Sequence, residues 1–197
     1  MRYILASGSP RRKELLSFVV PQFEIIPAVS EEVTTSNKPS EIVKELSFQK
    51  ASEIFHKILT DYTEDVVVIG ADTIVSFNQR VLGKPKDRAD AMNMIRSFQG
   101  QTHKVYTGVT IFYKKNGEIS DHTFYEETSV DVEAMSDEEI ASYVQTGEPD
   151  DKAGAYGLQG IAGMFIEKIN GNMASVIGLP TYSLYKILKK ERIIDLK

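Results

Sequence analysis

Tyr3-Ile4-Leu5-Ala6-Ser7-Gly8-Ser9-Pro10-Arg11-Arg12-Lys13-Glu14-Leu15-Leu16 reads as an apolar strand, a turn of small residues and a helix that opens on three cations. Ser9 suits the N-cap and Pro10 the first helical position, where a missing N–H costs nothing. A capping box would set Glu or Gln three residues beyond the cap, but that place holds Arg12, between Arg11 and Lys13. Cations there oppose the helix dipole. Free amides and cations at a helix start together favour an external anion, phosphate above all. The same charges also fit a solvated helix face. With Gly8 the only glycine of the turn, the segment is neither a Walker loop nor a G-x-G-x-x-G fingerprint.

Outward from this stretch the pattern predicts strands mixed with helices. A short strand is expected over Phe23 to Ile26, then an acidic loop at Ser30-Glu31-Glu32. Pro39-Ser40 introduces a helix with an apolar stripe of Val43, Leu46, Ala51, Ile54, Phe55, Ile58 and Leu59. Val66 to Ile69 read as a buried strand ending at Gly70-Ala71-Asp72-Thr73. A second β-run, Ile74 to Phe77, turns at Asn78-Gln79 into Arg80 to Leu82, before Gly83-Lys84-Pro85. Ala91, Met92, Ile95 and Phe98 mark another helix. Long β-segments around Val105 to Tyr113 and Ile119 to Val132 flank Asn116-Gly117, a strong hairpin signal. Ser136 with Glu139 forms a capping box for a helix reaching Val144 and stopping at Gly147. Gly147 to Gly163 reads as an irregular glycine-bearing loop. Met164 to Ile169 and Ala174 to Ile177 are expected to pair around Asn170-Gly171, and a last helix to start near Pro180-Thr181. Hairpins and helical crossovers together predict a mixed α/β sheet.

The 197 residues, 42% of them apolar, suit one domain with a sizeable core. A net charge of −5 argues against general affinity for nucleic acid or anionic membrane, so the clustered cations read as a site rather than a coat. The chain has no cysteine, which removes disulfides and thiol chemistry. No apolar run approaches about 18 residues, and no signal peptide is expected at the N-terminus.

Asp72, placed by this reading at the end of a buried strand, sits where α/β proteins tend to hold reacting groups; a turn-forming Asp fits equally. Glu31, Glu32 and Lys50 each have a solvated alternative, and Lys84 is pinned between Gly83 and Pro85. The combination of carboxylates and cations suits a nucleoside triphosphate with Mg²⁺ or Mn²⁺, which prefer hard oxygen ligands. His56, His103 and His122 are scattered without metal spacing and read as structural or surface residues. Attack by water with a carboxylate base is the chemistry this inventory supports.

Six blocks carry a resemblance: Leu5 to Leu16, Gln49-Lys50-Ala51, Gly70-Ala71-Asp72-Thr73, Gly83-Lys84-Pro85, Asp151-Lys152-Ala153-Gly154-Ala155-Tyr156-Gly157-Leu158-Gln159-Gly160 and Val176-Ile177-Gly178-Leu179-Pro180. In this order, and nearly end to end, they resemble the Maf-type nucleoside triphosphate pyrophosphatases. The resemblance implies a single domain over 1–197 with an elongated mixed α/β fold akin to inosine triphosphatase and a cleft between two lobes. It implies a cytoplasmic enzyme, with homodimers common in the family, that splits a nucleoside triphosphate into monophosphate and pyrophosphate. It would not act on nucleic acid polymers or membranes.

Carried over block by block, the resemblance makes Asp72 the proton acceptor and gives the divalent metal, Mg²⁺ or Mn²⁺, to Glu32 with Asp72. The choice between Glu31 and Glu32 stays open at the level of sequence. Ser7, Arg11, Arg12, Lys50 and Lys84 would bind phosphates or position the nucleotide. Arg11, Thr73 and Gln159 would track base preference, and their combination resembles the branch acting on dTTP and UTP, including modified pyrimidine nucleotides. A 7-methyl-GTP pyrophosphatase and a non-hydrolysing nucleotide-binding regulator of septum formation are the alternatives.

Overall fold

The computed structural model describes residues 1–59 and 64–194. Its elements run β1 (Arg2–Leu5), α1 (Pro10–Ser17), β2 (Glu24–Ile25), α2 (Pro39–Leu59), β3 (Val66–Phe77), β4 (Arg80–Leu82), α3 (Arg88–Phe98), β5 (Thr102–Lys115), β6 (Glu118–Val132), α4 (Asp137–Gln145), β7 (Ile166–Asn170), α5 (Met173–Ile177) and α6 (Thr181–Lys190). The strands form one sheet in the order β2-β1-β3-β5-β6-β7, with β4 on β3. β1 pairs in parallel with β2 and β3, whereas β4 on β3 and β7 on β6 are antiparallel. The sheet is mixed, as the alternation of hairpins and crossovers predicts. Among the described residues no helix is long and apolar enough to cross a membrane.

The chain divides into two compact units: Met1–Asp72 with Thr107–Glu126 and the segment from Gly178 on, and Thr73–Tyr106 with Glu127–Ile177. In the first, the inner face of α2 packs Ala51, Ile54, Phe55 and Ile58 on Ile4, Val66, Val68 and Phe112, with the Phe55 and Phe112 rings stacked at 5.2 Å. Two glycines let the helix sit this close. A Cβ on Gly70 would lie 2.6 Å from Ser47 O and 2.7 Å from Ala51 N, and one on Gly108 would strike the Val43 carbonyl. In the second unit Ile95 and Phe98 of α3 and Ile140, Tyr143 and Val144 of α4 close over Val75, Val105 and Val130.

Local chemistry explains most boundaries. Ser9 Oγ caps α1 by accepting from Arg12 N–H at 3.4 Å, and Ser136 with Glu139 makes the reciprocal capping box of α4. Asn78 (φ 48°) with Gln79 (φ 64°), and Asn116 (φ 51°) with Gly117 (φ 85°), take the paired left-handed conformation of tight hairpins.

Three expectations are corrected. β3 does not stop at Gly70-Ala71: it runs unbroken from Val66 to Phe77, so Asp72 lies in mid-strand. The glycine that reads as a break is there to admit α2. No hairpin forms at Asn170-Gly171, because Asn172 Oδ1 accepts from Ala174 N–H at 3.0 Å and starts α5; β7 pairs instead with β6. β2 shrinks to two residues, since its partner β1 ends at Leu5, opposite Ile25, leaving Ile26 only an N–H bond to Leu5 O at 3.1 Å.

Candidate active site

Ser7 leaves the end of β1 buried and serves as a local anchor. Its Oγ accepts from Ser9 N–H at 3.3 Å and from Arg12 Nη1 at 3.2 Å. Arg12 Nε donates to Gly178 O at 3.0 Å, which ties the first block to the Val176–Pro180 block. Removal of water around its guanidinium lowers the Arg12 pKa; attraction to Asp72 and Glu32 opposes that shift, and repulsion from Arg11 adds to it. Arg11, Arg12, Glu32 and Asp72 therefore share one electrostatic neighbourhood in the first unit.

Lys50 completes that neighbourhood. Its Nζ donates to Asp72 Oδ1 at 2.5 Å and lies 2.8 Å from Glu32 Oε1. The Asp72 side chain is 10% exposed and that of Glu32 53%, so the ammonium joins a buried carboxylate to one at the surface. Glu32, not Glu31, is the acidic-loop residue that meets Lys50. Burying Asp72 without a cation would cost several kcal/mol, on the order of the penalty for an unpaired buried charge; Lys50 offsets this.

The second unit holds the other predicted residues. Thr73 follows Asp72 on β3 and is half-buried. Lys84 is exposed in the turn after β4, and Gly83 O accepts from Gly154 N–H at 2.9 Å. That bond joins the Gly83–Pro85 turn to the Asp151–Gly160 block. Gln159 is exposed on the glycine-rich loop.

Glu148, which sequence reasoning passed over, organises that loop. Its carboxylate accepts from Ile161 N–H at 2.6 Å, Ala162 N–H at 3.2 Å and the Tyr143 hydroxyl at 3.1 Å. Lys152 Nζ donates to the Glu148 carbonyl at 2.6 Å and to Asp151 Oδ1 at 2.8 Å. The available signal was Gly160, where a Cβ would collide with the Glu148 carboxylate.

The histidines stand apart from this chemistry. His103 is buried, with Nε2 2.8 Å from the Tyr156 hydroxyl. His56 Nδ1 lies 2.8 Å from Ser52 O on the exposed side of α2.

A family model described as Maf-like protein matches residues 2–191. The chain belongs to the Maf family. Its Maf relatives include a dTTP/UTP pyrophosphatase of Agathobacter rectalis, 47% identical over 197 residues that cover 95% of this chain and 96% of the relative. A protein of the same name from Thermoanaerobacter sp. (strain X514) is 47% identical over 192 residues, 97% of either chain. Another, from Bacillus cereus (strain AH187), is 45% identical over 190 residues, 96% of this chain and 95% of its own. Among solved structures, the Staphylococcus aureus Ham1 protein matches 97% of this chain and 100% of its own at 10% identity and a TM-score of 0.43. The Maf match encloses every residue from Ser7 to Gln159 named above.

The donor set fits a hard divalent cation. Among the described residues no cluster of three or more His, Cys, Asp or Glu is assembled for an ion. Glu32 and Asp72 are two oxygen donors already converging on one positive charge, the Lys50 ammonium. Mg²⁺ typically takes one or two carboxylates and completes its shell with water and substrate phosphate, so a pair suffices.

Proposed function

We propose that this chain hydrolyses dTTP and UTP, and modified pyrimidine nucleotides with them, to the monophosphate and pyrophosphate. The observation that carries the reading is near-complete coverage, at 45–47% identity, by relatives named dTTP/UTP pyrophosphatase. It is supported by a buried carboxylate, Asp72, held at one oxygen by Lys50 inside a neighbourhood of arginines. Residues 1–197 act in this reading as one nucleotide pyrophosphatase domain, in the cytoplasm and as a homodimer.

Asp72 is the base. Oδ1 is fixed by Lys50, and Oδ2 takes the proton from a water whose oxygen forms the new bond to phosphorus. The bridging oxygen between the α and β phosphates leaves with pyrophosphate. Ser7, Arg11, Arg12, Lys50 and Lys84 bind the phosphates, where charge-assisted donors stabilise the negative charge shifting in the transition state. Glu32 and Asp72 would hold Mg²⁺ or Mn²⁺, which supplies charge neutralisation and a more acidic bound water. Arg11, Thr73 and Gln159 select the base, since hydroxyl and amide groups penalise rings that leave them unpaired.

The test is a panel of natural and modified triphosphates, 7-methyl-GTP included, incubated with Mg²⁺ and resolved into products. Monophosphate plus pyrophosphate, fastest from dTTP and UTP, is expected. Orthophosphate with accumulating diphosphate overturns the reading.

A further inference from the structure

Helix α2 does more than supply Lys50. Glu45, Gln49 and Glu53 recur one turn apart on one face, and each takes hold of the segment between β2 and α2, which has no strand or helix of its own. Glu53 accepts from Val29 N–H at 3.0 Å and Ser30 N–H at 3.1 Å. Gln49 accepts from Val33 N–H at 3.1 Å while its amide nitrogen donates to the Val33 carbonyl. Glu45 accepts from the Thr34 hydroxyl at 2.5 Å, Thr35 N–H at 2.9 Å and the Thr35 hydroxyl at 3.0 Å. The loop thus runs back along the helix, stitched at three successive turns.

Glu32 falls between the Ser30 and Val33 attachments, with Oε1 2.8 Å from Lys50. Consecutive helix residues, Gln49 and Lys50, thereby grip consecutive loop residues, Val33 and Glu32. Gln49 makes a two-way bond to Val33 and so fixes the carbonyl and amide of the residue that follows Glu32. A slip of one residue would bring Glu31 or Val33 to Lys50 instead.

We propose that this row of side chains positions Glu32, and that Gln49 at its centre is a positioning residue acting through Glu32. The proposal rests on the metal role given to Glu32 above. Gln49 is half-buried at the loop edge, so the Val33 groups it releases can turn to water and the fold survives its loss. What is lost is the register of the loop. Residues that orient a metal-binding side chain typically weaken affinity about 10- to 100-fold when removed, and the lower end suits an exposed bond.

The experiment compares Gln49→Met, Glu32→Gln and the double variant in the full chain. Mn²⁺ affinity is read by electron paramagnetic resonance, alongside Mn²⁺ dependence of turnover, thermal midpoint and hydrogen exchange at the Val33 amide. Expected for Gln49→Met are Mn²⁺ binding weakened about 10-fold, faster Val33 exchange and a near-normal thermal midpoint. The same substitution should have no further effect on Mn²⁺ affinity in the Glu32→Gln background. Unchanged Mn²⁺ affinity, or effects that add independently in the double variant, overturn the positioning role. Wild-type Mn²⁺ binding by Glu32→Gln alone removes the metal role of Glu32, a distinct failure that takes this proposal with it.

Discussion

Lys50 Nζ meets Asp72 Oδ1 at 2.5 Å because the turn of α2 that carries the lysine is the one admitted by the bare Cα of Gly70, two residues before the aspartate on β3. Ser47 and Ala51, which flank Lys50 on the helix, are the residues whose backbone presses on that glycine. The ion pair is thus a by-product of helix-on-strand contact, and it responds to a change made outside the pair.

Gly70→Ala is expected to destabilise the protein by about 1–3 kcal/mol, because the added Cβ meets main-chain atoms that cannot rotate away. Turnover should fall more steeply than stability as α2 lifts and Lys50 withdraws from Asp72. Urea midpoints and pyrophosphate release on the same preparation check both.

Asp72→Asn keeps the side-chain volume and removes the proton acceptor. A rate loss of about 10²–10⁴ is expected for a missing general base. Binding of a non-hydrolysable dTTP analogue should survive, because the cations carry it. Near-normal turnover would falsify the catalytic assignment.

Arg12 and Lys84 should separate stability from function. Lys84 is exposed in its turn, so Lys84→Ala should stay within about 0.5 kcal/mol of the parent while turnover drops about 10²-fold. Arg12 holds Ser7 and the Gly178 carbonyl, so Arg12→Ala should lose about 1–3 kcal/mol as well as activity. Thermal denaturation beside steady-state kinetics distinguishes the two patterns.

His103 gives the protein an acid limit. Burial among Phe98 and Tyr156 lowers its pKa from 6.5 to about 4, against a smaller opposing pull from Asp131. The unfolded chain therefore binds the proton first as pH falls. Stability from this group is full above the ordinary histidine value and declines through the window from 6.5 down to about 4. The loss is on the order of 3 kcal/mol. Denaturant midpoints measured between these limits should fall with pH in the parent and flatten in His103→Gln.

Caps, tight turns and the apolar stripe of α2 were legible because each depends on a few neighbouring residues: Ser9 before Pro10, Ser136 with Glu139, Asn116 with Gly117. The motif blocks likewise marked out Ser7, Arg12, Lys50 and Asp72, which the fold brings into one neighbourhood. The mid-strand setting of Asp72 was hidden, since Gly70 reads locally as a break and its reason lies on α2. Asn170-Gly171 misled in the opposite way: the hairpin signal was overruled by the side chain of Asn172. Glu45, Glu53 and Glu148 gave no signal of their own in the sequence, and Gln49 showed only as a neighbour of Lys50, because their partners are mainly loop backbone groups, which leave no trace in periodicity or composition. The same cause kept Glu31 and Glu32 indistinguishable.

Gly70 and Gly108 lie on adjacent strands, β3 and β5, and receive successive turns of the same helix, Ser47 with Ala51 on one and Val43 on the other. Two such seats define how far α2 can slide and how it can roll. The number of residues between 43 and 51 is therefore fixed by the two seats, quite apart from what each side chain does. A single insertion there would rotate everything downstream by about 100°, sending Lys50 away from Asp72 while leaving the helix itself intact. Over this interval the protein is intolerant of insertion and deletion, a constraint on length enforced by two side chains that do not exist.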